Sequence, residues 1–140
     1  MDAVFEENIA LIKIAPGMTT KVLDEYVKHG CKGFILEGTG LGHVPESWVE
    51  GVRAITAKGI PIFMAAQPQY GRVNMSVYST GRMLVEAGIV GLDDMSSEVA
   101  YVKLGWVLAH TQKLDEVRKW MLTPIAGELS ARSEVDTFLY

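Results

Sequence analysis

Two polar side chains, His43 and Asn74, lie where α/β proteins most often place their chemistry. His43 ends the glycine-rich stretch 38–42, and Asn74 lies in the polar stretch 67–75. Each stretch follows a short apolar run typical of a buried strand, and ligands of open α/β sheets bind beyond the carboxyl ends of the strands. An imidazole and a carboxamide both donate and accept hydrogen bonds. The pair therefore suits recognition of a small polar molecule better than it suits a reaction centre.

The glycine loop leaves three interpretations open. Its glycines allow positive φ and a close approach of the backbone to another group. A dinucleotide fingerprint needs its third glycine where this chain has His43. A P-loop needs Gly-Lys-Ser/Thr before the helix, and this chain has no such sequence there, so both patterns disfavour a phosphate site. A tight turn without a ligand and a site for a non-phosphate ligand both remain. The last interpretation predicts these substrate contacts: Thr39, Gly40, Gly42, His43 and Asn74.

The remaining candidate residues favour structural roles. Cys31 follows a helix stop on the opposite side of the sheet and is expected to pack. His29 lies in the last turn of a helix, where a cation is favourable, and His110 is expected in the core or at its boundary. Asn74 and the pair Asp93-Asp94 can alternatively cap helices. One cysteine and three scattered histidines give no metal-ligand spacing, so we expect no metal.

The elements that position these residues follow from apolar periodicity and turn residues. Their order predicts an α/β fold: a flavodoxin/Rossmann-like three-layer domain with a small parallel sheet of three to four strands and helices on both faces. From Thr123 onward a tail or packing arm is expected. In chain order we expect strand Asn8–Ile14, a helix from Thr19 or Thr20 to Gly30, strand Phe34–Leu36, helix Pro45–Lys58, strand Pro61–Ala65, helix Ser76–Glu86, a short strand at Ile89-Val90, a helix capped by Asp93, Asp94 or Ser96, and helix Leu114–Leu122.

Aromatic residues on apolar helical stripes are expected to pack in the core. This applies to all three tryptophans, Trp48, Trp106 and Trp120. The helix after Asp94 is expected to carry on one face Val99, Val102, Trp106, Val107 and His110.

Length and composition indicate one globular domain, 1–140. The chain has 140 residues, of which 49% are hydrophobic and 21% charged. A net charge of −4, with thirteen scattered Lys and Arg, disfavours nucleic-acid contact. The sequence contains no apolar run that predicts a membrane span and no signal-peptide pattern at its start. A single cysteine fits a reducing compartment, so we expect a cytoplasmic protein.

Four stretches carry a resemblance to a known family: 12–17, 33–40, 71–75 and 94–104. In this order they resemble the C-terminal domain of the asparaginase/glutaminase family over nearly the whole chain. Two further runs, Tyr-Ser-Thr-Gly-Arg at 78–82 and Ile-Ala-Gly-Glu at 125–128, most resemble the branch formed by the D subunits of archaeal glutamyl-tRNA(Gln) amidotransferase. Type I asparaginases are close behind.

The resemblance implies hydrolysis of a side-chain amide to a carboxylate and ammonia by a threonine nucleophile. In that family the nucleophile belongs to an N-terminal catalytic domain, which is absent here. Thr39 and Thr80 do not match its motif, so no catalytic residue is expected in this chain. His43 and Asn74 resemble the family's substrate-contacting residues.

The resemblance also implies the partners of this domain. These are the catalytic N-terminal domain, further copies in a dimer or higher oligomer, another amidotransferase subunit and a small amino-acid substrate, without a metal or organic cofactor. A face left exposed by the missing domain is expected to cause self-association. The alternative is a small amino-acid-binding or regulatory module without catalysis.

Overall fold

The computed structural model describes residues 3–68 and 71–130, which form a parallel four-stranded sheet and five α-helices. Short apolar runs form the strands, and amphipathic segments between them form most of the helices. The elements are β1 (Ile9–Lys13), α1 (Lys21–Lys28), β2 (Gly33–Gly38), a 3₁₀ turn (Glu46–Trp48), α2 (Val49–Thr56), β3 (Ile62–Ala66), α3 (Ser79–Glu86), β4 (Val90–Gly91), α4 (Ser97–His110) and α5 (Leu114–Leu122).

Successive side chains of the central strands point to opposite faces of the sheet, so each strand contributes to two cores. The face covered by α1, α2 and α3 receives Phe34, Leu36 and Met64. The face covered by α4 and α5 receives Ile35 and Phe63. Burial on both faces explains why β2 and β3 are continuous apolar runs. The predicted three-layer α/β architecture is confirmed.

The strands lie in the order β1-β2-β3-β4, and every neighbouring pair is parallel. Right-handed crossovers that all advance in one direction place α1, α2 and α3 on the same face. The helices after β4 then cover the other face. The order does not reverse within these four strands, so it creates no switch-point crevice of the kind that holds ligands in doubly wound sheets. A binding site at this edge must be built by the loops.

Two predicted helices begin later than the sequence pattern indicated. In the segment predicted as the helix Pro45–Lys58, the backbone of Pro45 is extended and a 3₁₀ turn precedes α2. Within this turn, the indole Nε1–H of Trp48 donates to the carbonyl oxygen of Met18, with 3.1 Å between the nitrogen and the oxygen. The helix predicted from Ser76 begins at Ser79, because Asn74 and Ser76 form a side-chain turn before it. In the second case, a side-chain hydrogen bond to the amide of Ser76 competes with the first helical turn.

The predicted faces of α4 were wrong in part. Val99 and Val102 are exposed, Val102 to 60%, whereas Val107 is buried on the opposite side. α4 is apolar around most of its circumference, so periodicity alone cannot select the face that packs. Of the three tryptophans, only Trp48 is fully buried; Trp106 and Trp120 are half-buried and stack on each other, with ring centroids 5.6 Å apart.

The segment after α5 is a packing arm as far as residue 130. Lys103 on α4 and Glu128 form an ion pair whose side chains are 6% and 8% exposed. The carboxylate also accepts the amides of Ile125 and Ala126, and the Lys103 ammonium donates to the carbonyl of Thr123. Residues 131–140 of the predicted tail lie outside the described part. None of the helices described has the length and apolar character needed to cross a membrane.

Candidate functional site

The glycine loop closes on itself at the end of β2. The amides of Thr39 and His43 each donate to the other residue's carbonyl, both at 2.9 Å. Gly42 has φ +95°, which favours glycine. A Cβ added to Gly38 would lie 2.7 Å from the backbone of Gly42 and of His43. Glycine at position 38 is therefore required for this closure.

The loop after β3 is joined to the glycine loop. The amide of Asn74 donates to the carbonyl of Leu41 at 2.9 Å, and the side chain of Val73 lies against Gly42. The amide of Val73 also donates to the carbonyl of Asp93, after β4, at 2.7 Å. The loops that follow three neighbouring strands thus form one assembly, which brings the segments of His43 and Asn74 together. Gln69 and Tyr70, within the predicted second site loop, lie outside the described residues.

His43 is the most unusual side chain of this assembly. Its Nε2 atom is buried and has no hydrogen-bond partner among the described residues. The ring of Tyr78 lies edge-to-face against the imidazole, with centroids 4.8 Å apart and planes at 77°. Buried polar atoms are nearly always paired, and an exception calls for an explanation. From the sequence, Tyr78 was noted only as the first residue of the run 78–82, within a predicted helix, and was given no site role.

Asn74 is exposed and does not cap α3. Its side-chain oxygen accepts the amide and the hydroxyl of Ser76, at 3.2 and 2.6 Å, and Tyr78 stands at the N-cap position. Asn74 borders a shallow cavity of about 390 Å³ together with Arg72 and Asp93. The carboxamide is therefore placed by a local turn at the surface, where a ligand can reach it.

Thr39, Gly40 and Gly42 shape the loop. The amides of Thr39, Gly42 and His43 are all used within it, and the Thr39 hydroxyl donates to the carbonyl of His43 at 3.4 Å. A Cβ at Gly40 would meet no atom within 4 Å, so this residue lies on the open side. The assembly offers hydrogen-bonding groups at a sheet edge and can recognise a polar ligand.

A second, acidic cavity of about 380 Å³ opens at the same sheet edge. The Ser97 hydroxyl donates to the carboxylate of Glu37, and Gln67 donates to the carbonyls of Ile14 and Glu37. Asp94 borders this cavity; burial favours its neutral form, but hydrogen bonds from Ser130 outweigh burial and lower the pKa of Asp94. Sequence reasoning missed this cavity, although a carboxylate at the end of an apolar strand, as at Glu37, was a usable signal.

The other sequence candidates have structural roles. Ser96 caps α4, accepting the amide of Val99, and Asp93 instead occupies a turn with φ +50°. Cys31 is buried, its thiol lies 3.2 Å from the carbonyl of Gly33, and burial raises its pKa. His29 hydrogen-bonds through Nδ1 to a carbonyl of its own helix.

His110, predicted to lie in the core or at its boundary, lies outside the core. It is exposed rather than in the core, its Nδ1 atom lies 2.7 Å from the carbonyl of Trp106, and its ring contacts that indole. The end of α4 reaches solvent here, so a histidine on an apolar stripe is no evidence of burial. Among the described residues, no three His, Cys, Asp or Glu side chains form a group that could hold a metal ion.

Comparison with known proteins gives a consistent result. The model of the glutaminase/asparaginase C-terminal domain matches residues 8–121. The D subunit of glutamyl-tRNA(Gln) amidotransferase from Thermococcus kodakarensis is 49% identical over 139 residues, which cover 99% of this chain and 32% of that protein. The corresponding subunit of Methanopyrus kandleri is 53% identical over 125 residues, covering 89% and 27%.

Solved structures agree with these matches. The thermostable L-asparaginase of Thermococcus kodakarensis superposes with a TM-score of 0.86 at 36% identity, covering 94% of this chain and 40% of that one. L-asparaginase I of Vibrio cholerae superposes with a TM-score of 0.80 at 28% identity, covering 88% and 38%. The chain spans about a third of the length of the curated relatives that it matches.

Proposed function

Because this chain belongs to the glutaminase/asparaginase C-terminal domain family, we propose that it is the C-terminal domain, 1–140, of a side-chain amidohydrolase. The complete enzyme converts a side-chain amide and water into a carboxylate and ammonia. This domain supplies substrate-contacting and interface residues and is inactive alone. The observation that carries the proposal is the family match over residues 8–121, combined with coverage of only about a third of each relative.

The chemistry of the described residues supports this division of labour. A nucleophilic hydroxyl needs a base within hydrogen-bond reach and access to substrate. The Thr39 hydroxyl donates to a backbone carbonyl instead, and the Ser97 hydroxyl, which donates to the Glu37 carboxylate, is buried. We assign the threonine nucleophile to an N-terminal domain, as the resemblance implies, and substrate contacts to His43 and Asn74. Thr39, Gly40 and Gly42 hold the loop that presents His43.

The partners of the proposed enzyme are protein domains. An exposed apolar surface, which we call the α4 outer face, contains Val99 and Val102 on α4 and, beside them, Val4 and Ile125. Apolar patches of this kind mark protein contacts. The proposed contacts are the nucleophile domain, further copies in a dimer or higher oligomer, and another subunit of a tRNA-dependent amidotransferase. The proposed location of this enzyme is the cytoplasm. The similarity to amidotransferase subunits favours glutamine-linked amidotransfer over free asparagine hydrolysis.

The test is reconstitution. Ammonia release from glutamine and from asparagine is measured with this chain alone and with the separate N-terminal domain of the Thermococcus kodakarensis amidotransferase D subunit alone. It is then measured with the two mixed. We expect activity only in the mixture. Turnover by this chain alone would contradict the proposal, because a nucleophile would then lie within it.

A calorimetric titration distinguishes the alternative of an amino-acid-binding module. A half-site binds its ligand weakly because the remaining contacts belong to the other domain. Tight binding of glutamine, asparagine or their acids to this chain alone, with no activity in the mixture, would favour a sensor over an incomplete enzyme.

A further inference from the structure

The Nε2 atom of the His43 imidazole is closed to a ligand in the arrangement observed. Its Nε2 atom is buried without a hydrogen-bond partner among the described residues. The ring of Tyr78 packs edge-to-face on this imidazole, with centroids 4.8 Å apart. Such a ring pair is favourable in itself, but an aromatic ring replaces a hydrogen-bond partner only weakly. The Nε2 atom is thus enclosed, and the ring of Tyr78 lies against the imidazole that carries it.

Tyr78 is placed so that it can turn away. The residue is 57% exposed, and its extended backbone, with φ −116° and ψ 154°, stands directly before the first residue of α3. Its side chain can therefore rotate without unwinding α3. The neighbouring Val77 is exposed to 48%, which shows that this short segment lies at the surface.

We propose that Tyr78 is a positioning residue that covers His43 and turns away when a ligand binds, so that Nε2 meets a polar group of the ligand. The identity of the ligand, a small amino acid with a side-chain amide, rests on the proposed function. Since only the uncovered histidine is competent to bind, the apparent affinity falls in proportion to the covered fraction. Tyr78 thereby sets the affinity of the site.

The first test uses this chain alone and the acylating reagent diethyl pyrocarbonate, with each histidine read by mass spectrometry. His29 is exposed and serves as the internal reference. We expect His43 to react at least about tenfold more slowly than His29, because the uncovered state is a minor one. Tyr78→Ala should raise the rate at His43 to near that of His29, whereas Tyr78→Phe, which keeps the ring, should not.

Val77→Ala is the matched control, since it removes an exposed side chain next to Tyr78 and should leave His43 slow. Continued protection of the buried Cys31 from a thiol reagent shows that each variant is folded. Fast acylation of His43 in the unmodified sequence, or slow acylation that persists in Tyr78→Ala, would overturn the proposal.

The second test uses the reconstituted enzyme and separates a cover from a substrate contact. Removing the cover in Tyr78→Ala should lower KM severalfold, up to about tenfold, with kcat unchanged, while Tyr78→Phe should match the original enzyme. A higher KM in Tyr78→Ala would make Tyr78 a substrate contact and overturn the proposal. If the mixture is inactive, the proposed function fails, whereas the acylation experiment still decides whether Tyr78 covers His43.

Discussion

At the scale of single residues, buried polar groups occur in two contrasting forms. The histidine at the end of the glycine loop has a buried nitrogen without a partner in the described part of the chain, whereas the ion pair under the packing arm has both of its charges paired. The Nε2 atom of His43 is buried without a partner among the described residues, which costs free energy. Lys103 and Glu128 are buried together, and their hydrogen bonds hold the same arm. The first arrangement leaves a polar atom without a partner in the described structure unless the site opens, as proposed for Tyr78, and the second fastens a segment.

His43→Ala should impair the reconstituted enzyme without unfolding the domain. We expect kcat/KM to fall by about tenfold or more, since loss of one substrate hydrogen bond is worth about 1.4 kcal/mol or more. The urea midpoint should change little, because the imidazole makes few bonds. His110→Ala is the control, as that histidine lies on α4 away from the loops. Unfolding of His43→Ala would show that His43 is structural.

Glu128→Gln should destabilise the domain at neutral pH and much less in acid. Burial alone would raise the pKa of Glu128, but hydrogen bonds from Lys103 and the amides of Ala126 and Ile125 outweigh it and lower the pKa to about 2. Because the pKa of Glu128 is lower in the folded state than in the unfolded state, its carboxylate stabilises the fold fully at pH values above the unfolded-state pKa, near 4.5. This stabilisation is lost as the pH falls towards the folded-state pKa of about 2. We expect a loss of about 2 kcal/mol near pH 7, because the Lys103 ammonium stays buried.

Urea unfolding at several pH values measures this loss. The difference between the original chain and Glu128→Gln should shrink steadily below about pH 4.5. Glu50→Gln is the control, because its ion pair with Arg53 is exposed and contributes little. A difference that stays constant down to about pH 3 would contradict the assignment.

At the scale of elements, the loops after β2, β3 and β4 take over the role that strand order plays in doubly wound sheets. The strands run in sequential order, so the edge has no crevice of its own. Hydrogen bonds from Asn74 to Leu41 and from Val73 to Asp93 join the three loops instead. The position of His43 therefore depends on the closure of the glycine loop.

Gly38→Ala should destabilise the domain more than Gly40→Ala. A Cβ at Gly38 overlaps the backbone of Gly42 and His43, which cannot move without opening the loop, so we expect a loss above about 2 kcal/mol. Gly40 has φ +53° and open space, so alanine there should cost only about 1 kcal/mol of backbone strain. Urea midpoints of the two variants measure this difference, and equal losses would contradict the role of Gly38.

At the scale of the whole molecule, α4 is apolar on two sides. Its inner side, with Leu104 and Val107, covers the sheet. On its outer side, Val99 and Val102 are exposed at the surface beside the N-terminal segment. In that segment, Phe5 packs closely on Gly105 of α4, so that a Cβ added at Gly105 would lie 2.1 Å from the Phe5 ring. A helix that is apolar all round is normally buried, which supports the proposed contact of this face with another domain or copy.

Val102→Glu should reduce self-association of the isolated domain without reducing its stability. Val102 is 60% exposed, so a carboxylate there stays solvated in the monomer but is disfavoured in an apolar contact. Light scattering after gel filtration over a range of concentrations measures the association. Val85→Glu, at a site 51% exposed on α3, is the control. Equal association of the two variants would exclude the α4 outer face as the contact.

The fold was largely predictable because its signals are local. Apolar runs bounded by glycine and proline marked β2 and β3, and the alternation of strand and helix determined a parallel three-layer fold. The helix start at Val49 was not predictable, since the bond of Trp48 to Met18 joins segments distant in sequence. The start at Ser79 follows a local turn of Asn74 and Ser76, which competes with a helical pattern that includes Ser76.

By itself, the sequence determined the fold class, the family and the two loops that carry His43 and Asn74, because each depends on residue types within one short segment. Only the tertiary structure decided that the rings of Tyr78 and His43 are in contact, that Glu37 and Ser97 meet in one cavity, and that Val102 faces outward. Each of these facts depends on which distant side chains meet across the packed layers. Neighbours along the chain do not encode such contacts, because packing of the whole domain selects them.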